Sequence, residues 1–251
     1  DFTMYSDLDE IEVSVKVNLQ EQLKMLKLQF PVNLNSRRAT YEIPYGHKER
    51  ETTGEEEPGQ SWLDITGIMS NRNEVYGLSL INDAKYSYDV LNETMSLTVL
   101  RSPVYAHHNP AKLKNDESYS YIDQGIQEFT YTLLPHRGSW EDGNTIKKAR
   151  ELNQRPISLI ETYHDGELPQ YNSYVDINKD NIIITAIKRA EDDDGIIVRC
   201  RETNKVKTNV RIKFPHWNRT IESEFGPCEI KTFHIPDNKE EKISETNLIE
   251  W

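Results

Sequence analysis

The stretch "VYGLSLINDAKYSYDVLNETMSLTVLR", Val75 to Arg101, carries the strand pattern of the chain in its plainest form. It contains three short runs, "VYGLSLIND", "YSYDVL" and "MSLTVLR", separated by polar turns and rich in residues that suit a pleated surface. Three such runs in close succession predict an antiparallel meander. Upstream, "IEVSVKVNL" places Ile11, Val13, Val15, Val17 and Leu19 on one face, and "KLQF" continues the alternation through Leu26, Leu28 and Phe30. Downstream, "QEFTYTLLP", "NIIITAIKRA", "GIIVRCRE", "KTNVRIKF" and "CEIKTFHI" add further strands, so the chain reads as all-β. One short helix interrupts the pattern in "DGNTIKKAREL". There Ile146, Ala149 and Leu152 recur at helical spacing, Asn144 is the candidate cap, and Pro156 lies just beyond the end.

Turn-forming and polar residues cluster in "HDGELPQYNSY", residues 164 to 174, and a new strand register starts after them. The expected organisation is a domain over 1–172 and a smaller one over 173–251. Two acidic stretches read as connections: "ETTGEEEPGQS" at 51–61 as a mobile surface loop, and "AEDDDG" at 190–195 as a hairpin turn. The chain opens "DFTMYSDLDE" and turns strand-like almost at once, as expected of a piece of something longer.

Composition bounds the chemistry. At 251 residues the chain buries a sizeable core, and its 36% apolar and 29% charged residues read as soluble and globular. A formal net charge of -12 argues against nucleic acid or an anionic membrane as partner, since both require clustered Lys and Arg. No apolar run approaches the roughly 18 residues of a membrane span, and no signal-peptide pattern is visible. The two cysteines, Cys200 and Cys228, form no Cys-x-x-Cys pair and read as free thiols of a reducing, cytoplasmic compartment.

Several motifs invite a chemical reading and fall to a structural one. "DINKDN" alternates oxygen ligands at Asp176, Asn178 and Asp180. An EF-hand loop, however, needs Gly where Asn181 stands and Glu where Ile187 stands, so a turn between strands is the reading. Asn92 and Asn218 head glycosylation triplets that chance accounts for. His136, in "LLPHRGSW", reads as a histidine bonded to loop backbone rather than a metal ligand. The adjacent His107 and His108 in "LRSPVYAHHNP" lack a spaced His, Glu or Cys partner, and neighbours on an extended backbone point to opposite sides, so no metal site is expected there. Neither a G-x-S-x-G turn nor a Gly-rich phosphate loop occurs.

"LINDAKY" (Leu80 to Tyr86), "LRSP" (Leu100 to Pro103) and "DQGIQEFTYTLL" (Asp123 to Leu134), with Pro135 and His136 following, resemble the C-terminal β region of glycoside hydrolase family 38, the α-mannosidases, in the branch with bacterial and cytosolic members. "EIPYGHKER", "AEDDDGIIVRCRET", "GPCEIKTFHI" and "ETNLIE" are in keeping with it, so the resemblance covers nearly the whole chain. It implies an antiparallel β-supersandwich of the galactose-mutarotase-like kind followed by a smaller β-sandwich. It also implies a parent enzyme that is a retaining, exo-acting α-mannosidase acting on mannose-containing oligosaccharides. The family's zinc, nucleophile and acid/base belong to an N-terminal catalytic domain absent from this chain, so the chain alone is expected to be inactive, to bind no zinc and to pack on that domain. A homo-oligomer is left open.

The resemblance also implies that an Arg at a strand end reaches the bound sugar, and Arg101, following Met95, Leu97 and Val99, is the candidate; a structural pair with Asp123 is the alternative. Asp83, Lys85 and Tyr86 in the "NDAKY" turn are lesser candidates. Two further readings stay open. The chain is either an independent carbohydrate-binding module, for which Trp62, Trp140, Trp217 and Trp251 supply aromatic faces, or a purely structural domain.

Overall fold

The computed structural model describes residues 1–70, 72–106 and 112–250. The chain divides into two compact units, Asp1–Ile157 and Ser158–Trp251. Residues 158–172 carry no strand or helix.

The first unit comprises β1 (Phe2–Met4), β2 (Ile11–Leu19), β3 (Met25–Pro31), β4 (Leu34–Asn35), β5 (Arg38–Ile43), β6 (Gly46–Glu51), β7 (Glu57–Pro58), β8 (Trp62–Met69), β9 (Val75–Asn82), β10 (Ser87–Leu91), β11 (Thr94–Arg101), β12 (Gly125–Arg137) and α1 (Thr145–Asn153). Every pairing is antiparallel among the described residues. One sheet runs β1-β2-β12-β9-β8-β5-β6, with β4 also on β8, and the other runs β3-β11-β10-β7. The period of two explains how they pack. Val13 and Val15 lie opposite Tyr131 and Phe129, and this face meets Tyr88, Val90, Met95 and Leu97 of the second sheet in one core. Phe30 and Tyr131 join the two sheets edge to face, 5.4 Å between ring centroids. Each fully buried Leu or Ile here, such as Leu63, Ile65, Leu80 and Leu97, contributes about 1.5–3 kcal/mol.

The larger sheet is covered on its other face as well. Helix α1 buries Thr145, Ile146, Ala149 and Leu152, and it packs on β9 and β8. The spacing of its apolar residues is the spacing expected from sequence. Asn144 adopts a left-handed conformation (φ 53°), however, in place of the extended one from which a capping side chain reaches the first-turn amides, and its side chain makes no capping hydrogen bond. The 51–61 stretch also differs from the mobile loop expected of it. Glu56 accepts hydrogen bonds from Lys27 of β3, Ser87 of β10 and Thr98 of β11, while Glu57–Pro58 pairs with β10. A carboxylate with three donors fixes the segment as a strap across the smaller sheet.

The second unit contains β13 (Asp176–Ile177), β14 (Ile182–Arg189), β15 (Ile196–Glu202), β16 (Thr208–Phe214), a 3-10 turn at Pro215–Trp217, β17 (Arg219–Phe225), β18 (Ile230–Ile235) and β19 (Ser244–Thr246). Its two sheets, β13-β16-β17 and β14-β15-β18-β19, enclose Val198, Cys200, Ile212, Phe214, Ile221, Phe225 and Phe233. "DINKDN" begins with β13 and continues as the turn 178–181 into β14, and the Asn178 carboxamide oxygen accepts the Arg211 backbone N–H at 2.8 Å. "AEDDDG" closes the β14–β15 hairpin through Ala190 N–H to the Gly195 carbonyl.

Candidate functional site

Arg101 leaves the core through a defect in its strand. Strict alternation would put Arg101 on the same inward face as Met95, Leu97 and Val99. The β11–β3 register breaks between Thr98 and Leu100, so Val99 is an extra residue on its strand. Leu100 then takes the inward place opposite Leu26, and Arg101 turns outward opposite Met25. A bulge that re-aims one side chain is a recurrent device beside functional sites.

The alternative of an Arg101–Asp123 ion pair is not what the structure contains. The Asp123 carboxylate accepts the backbone N–H of Arg101 at 3.0 Å, with Asp123 itself in the left-handed region at φ 54°. The strand end is thereby locked, while the exposed guanidinium makes no hydrogen bond or ion pair with another described residue. An arginine in this state retains its fork of donors for an external acceptor.

The antiparallel order gathers other elements at the same end of the unit: the end of β9, the start of β10, the end of β11 and the start of β12. The 83–86 turn lies here. Asp83 is a bridge between strands, its carboxylate accepting Thr130 N–H at 2.9 Å and its own N–H donating to the Thr130 carbonyl. Lys85 donates to Gln127 at 2.9 Å and lies over the Phe129 ring. Tyr86 is half exposed and borders a cleft of about 480 Å³ that it shares with Glu42, Arg150, Asn153 and Gln154. Leu23, Met25, Tyr105 and Ile126 are at least half exposed at this end, an apolar rim on a strongly acidic chain. His107 and His108 lie outside the described residues.

A second polar constellation was not legible in sequence. Asp64, 1% exposed, accepts Thr66 and Ser79 hydroxyls at 2.7 Å each and shares a 2.7 Å hydrogen bond with His136 Nε2. Since the single Ser79 hydroxyl proton goes to Asp64, the Thr145 hydroxyl at 2.6 Å is the donor to Ser79. The His136 ring crosses β9 at Gly77, its register partner, where no side chain obstructs it, and Gly143 lies against its other side. His136 therefore bonds a buried carboxylate, not the loop backbone expected of it. Both Ser79 and His136 attach to the same Asp64 oxygen, so the carboxylate stands between hydroxyl and imidazole. This order does not activate a nucleophile, which needs the base next to the hydroxyl. Its effect is to pin helix α1 to the sheet.

Among the described residues, no group of three or more His, Cys, Asp or Glu side chains could hold a metal ion, and no helix is long and apolar enough to cross a membrane. Trp62 and Trp140 are buried and pack on each other at 5.2 Å, so neither offers a face to a sugar.

Comparison with known proteins places these domains. Residues 1–110 match the glycosyl hydrolases family 38 C-terminal domain, and residues 181–223 match the glycosyl hydrolases family 38 C-terminal beta sandwich domain. The chain carries the C-terminal β domains of glycoside hydrolase family 38. Alpha-mannosidase G of Dictyostelium discoideum is 32% identical over 91% of this chain, and human alpha-mannosidase 2C1 is 29% identical over 72%. The family-38 chain spans 22% and 16% of the length of these relatives. The crystal structure of an alpha-mannosidase from Enterococcus faecalis V583 superposes with a TM-score of 0.76 over 94% of this chain and 28% of its own, at 17% identity, a likeness of fold.

Proposed function

We propose that this chain is the non-catalytic C-terminal part of a retaining, exo-acting α-mannosidase that removes terminal mannose from oligosaccharides, and that Arg101 reaches the rim of the sugar site. The observation that carries this is the bulge at Val99, which turns a guanidinium outward at a strand end that Asp123 holds in place. The apolar rim around it supports docking of this end against the catalytic part of the same protein, in a cytoplasmic enzyme whose two cysteines stay unpaired.

In a retaining glycosidase one carboxylate attacks the anomeric carbon while a second protonates the leaving oxygen, and water later releases the sugar. Those carboxylates and the zinc belong, on this reading, to the remainder of the parent protein. The donor set described here does not fit a metal ion. What this chain supplies is positioning: a planar cation donating two directed hydrogen bonds to ring hydroxyls, from a strand end that Asp123 holds through the Arg101 backbone N–H. Incubating the isolated chain with an aryl α-mannoside and zinc should release no aryl alcohol, while the full-length enzyme turns it over. Hydrolysis by the isolated chain would overturn the assignment.

A further inference from the structure

The second unit contains a cleft of about 250 Å³ whose lining includes Trp217, Arg219, Asp194, Asp237 and Lys239. We propose that this cleft is a second carbohydrate site, built for one neutral pyranose ring and separate from the reaction proposed above. Trp217 stacks on Phe214 at 5.2 Å with only 20° between the rings, which leaves the indole supported from below and lining the cleft with the rest of its surface. An indole so presented matches the row of C–H groups on one side of a sugar ring.

The walls are tied by hydrogen bonds of their own. Arg219 donates to the Glu241 carbonyl at 2.8 Å and to the Asn238 carbonyl at 3.4 Å, holding the 238–241 loop in place. Asn238 ties that loop to itself through Glu241 and Glu240 N–H. His216, also in the lining, packs its ring against Tyr174 at 4.5 Å and 31° between the planes and shares a 2.8 Å hydrogen bond with Asn172. The backbone and Arg219 therefore carry little ordering cost, and the cost that remains is that of fixing the Asp237 and Lys239 side chains.

The charges select the class of ligand. Arg189 lies 3.9 Å from Asp194, and Arg219 spends its donors on carbonyls. Asp237 and Lys239, both exposed, make no side-chain hydrogen bond or ion pair with another described residue. One free carboxylate and one free ammonium beside an indole suit adjacent hydroxyls, which accept from one and donate to the other. A phosphate or a cation would be repelled by one of the two. The volume lies below the roughly 300–1,000 Å³ of drug-sized pockets, so a single ring is the fit.

Titration of the whole 251-residue chain with methyl α-mannopyranoside, followed by nitrogen–proton NMR, tests this. The indole N–H signal that disappears in Trp217→Phe should shift saturably with a dissociation constant on the order of 1 mM. The exposed double change Asp237→Ala/Lys239→Ala should weaken binding roughly tenfold or more with an unchanged melting temperature, while Arg101→Ala should leave the titration unaltered. No saturable shift, an undiminished shift in the double variant, or saturation by inorganic phosphate in place of the sugar would overturn the proposal. The readout is independent of mannosidase activity, so failure of one reading is distinguishable from failure of the other.

Discussion

A methyl group added at Gly77 would stand 2.1 Å from Cε1 and 2.7 Å from Nε2 of His136, and 2.9 Å from the Thr66 hydroxyl. The imidazole cannot yield without releasing Asp64, and the Gly143 backbone lies close on its other side, near enough that a Cβ there would come within 2.9 Å of His136 Cβ, Cγ and Cδ2. Gly77→Ala therefore loses a buried hydrogen bond to a carboxylate, about 1.5–3 kcal/mol, and overpacks the site by about 1–3 kcal/mol. The sum, roughly 2.5–6 kcal/mol, lowers the melting temperature of the first unit by roughly 5–24 °C. A double-mutant cycle with His136→Ala isolates the cause. Once the ring is gone, adding the methyl should cost less than about 1 kcal/mol, so the pair is less destabilised than the sum of the singles by at least about 1.5 kcal/mol. The assay is urea unfolding monitored by Trp62 and Trp140 fluorescence, both in the same unit. Simple additivity would refute the reasoning, because the clash would then not lie with His136.

Other consequences are as specific. Burial alone would raise the Glu56 carboxyl, but hydrogen bonds from Lys27, Ser87 and Thr98 outweigh it and hold Glu56 below its ordinary range. Burial likewise lowers Lys27, and its bonds to Asp89 and Glu56 outweigh that and raise it. The strap is thus stabilised above the ordinary carboxylate range and released as pH falls through the depressed Glu56 value; it is stable below the ordinary lysine range and released as pH rises through the elevated Lys27 value. Glu56→Gln should accelerate hydrogen exchange at the Gly54 and Gly59 amides severalfold at neutral pH, equivalent to under about 1 kcal/mol after solvent screening; unchanged exchange would contradict the pinning. Burial pushes the Cys200 thiol up to about 12, whereas Cys228 is partly accessible, so a thiol reagent should modify one site quickly in the native chain and the second only on unfolding. Two equal native rates would count against the packing of the second unit.

Much of the fold was legible because most strands bury one face only. Ile11 to Leu19 and residues 125–137 alternate as a half-buried strand must, and α1 shows its apolar stripe at 146, 149 and 152. Trp62 to Met69 shows no such alternation although it lies near the middle of the large sheet: its first four residues are buried on both faces, Leu63 and Ile65 by the core and Trp62 and Asp64 by Trp140, His47 and His136. The Asp64, Ser79, His136 and Thr145 network joins residues far apart in sequence, and only Gly77, a glycine inside a strand, signals that something crosses the backbone there. Arg101 was identifiable as a strand-end residue. The bulge that turns it outward was not, since alternation through Val99 predicts the opposite face.

Steady-state kinetics of Arg101→Ala in the full-length parent protein, with an aryl α-mannoside as substrate, decide whether this guanidinium serves the proposed sugar site. Loss of charge-assisted hydrogen bonds worth about 1.5–3 kcal/mol lowers kcat/KM roughly 10- to 150-fold, with the melting temperature unchanged because the Asp123 bond is to the backbone. Wild-type kinetics in that variant would contradict the account and leave this end of the β region a packing surface alone.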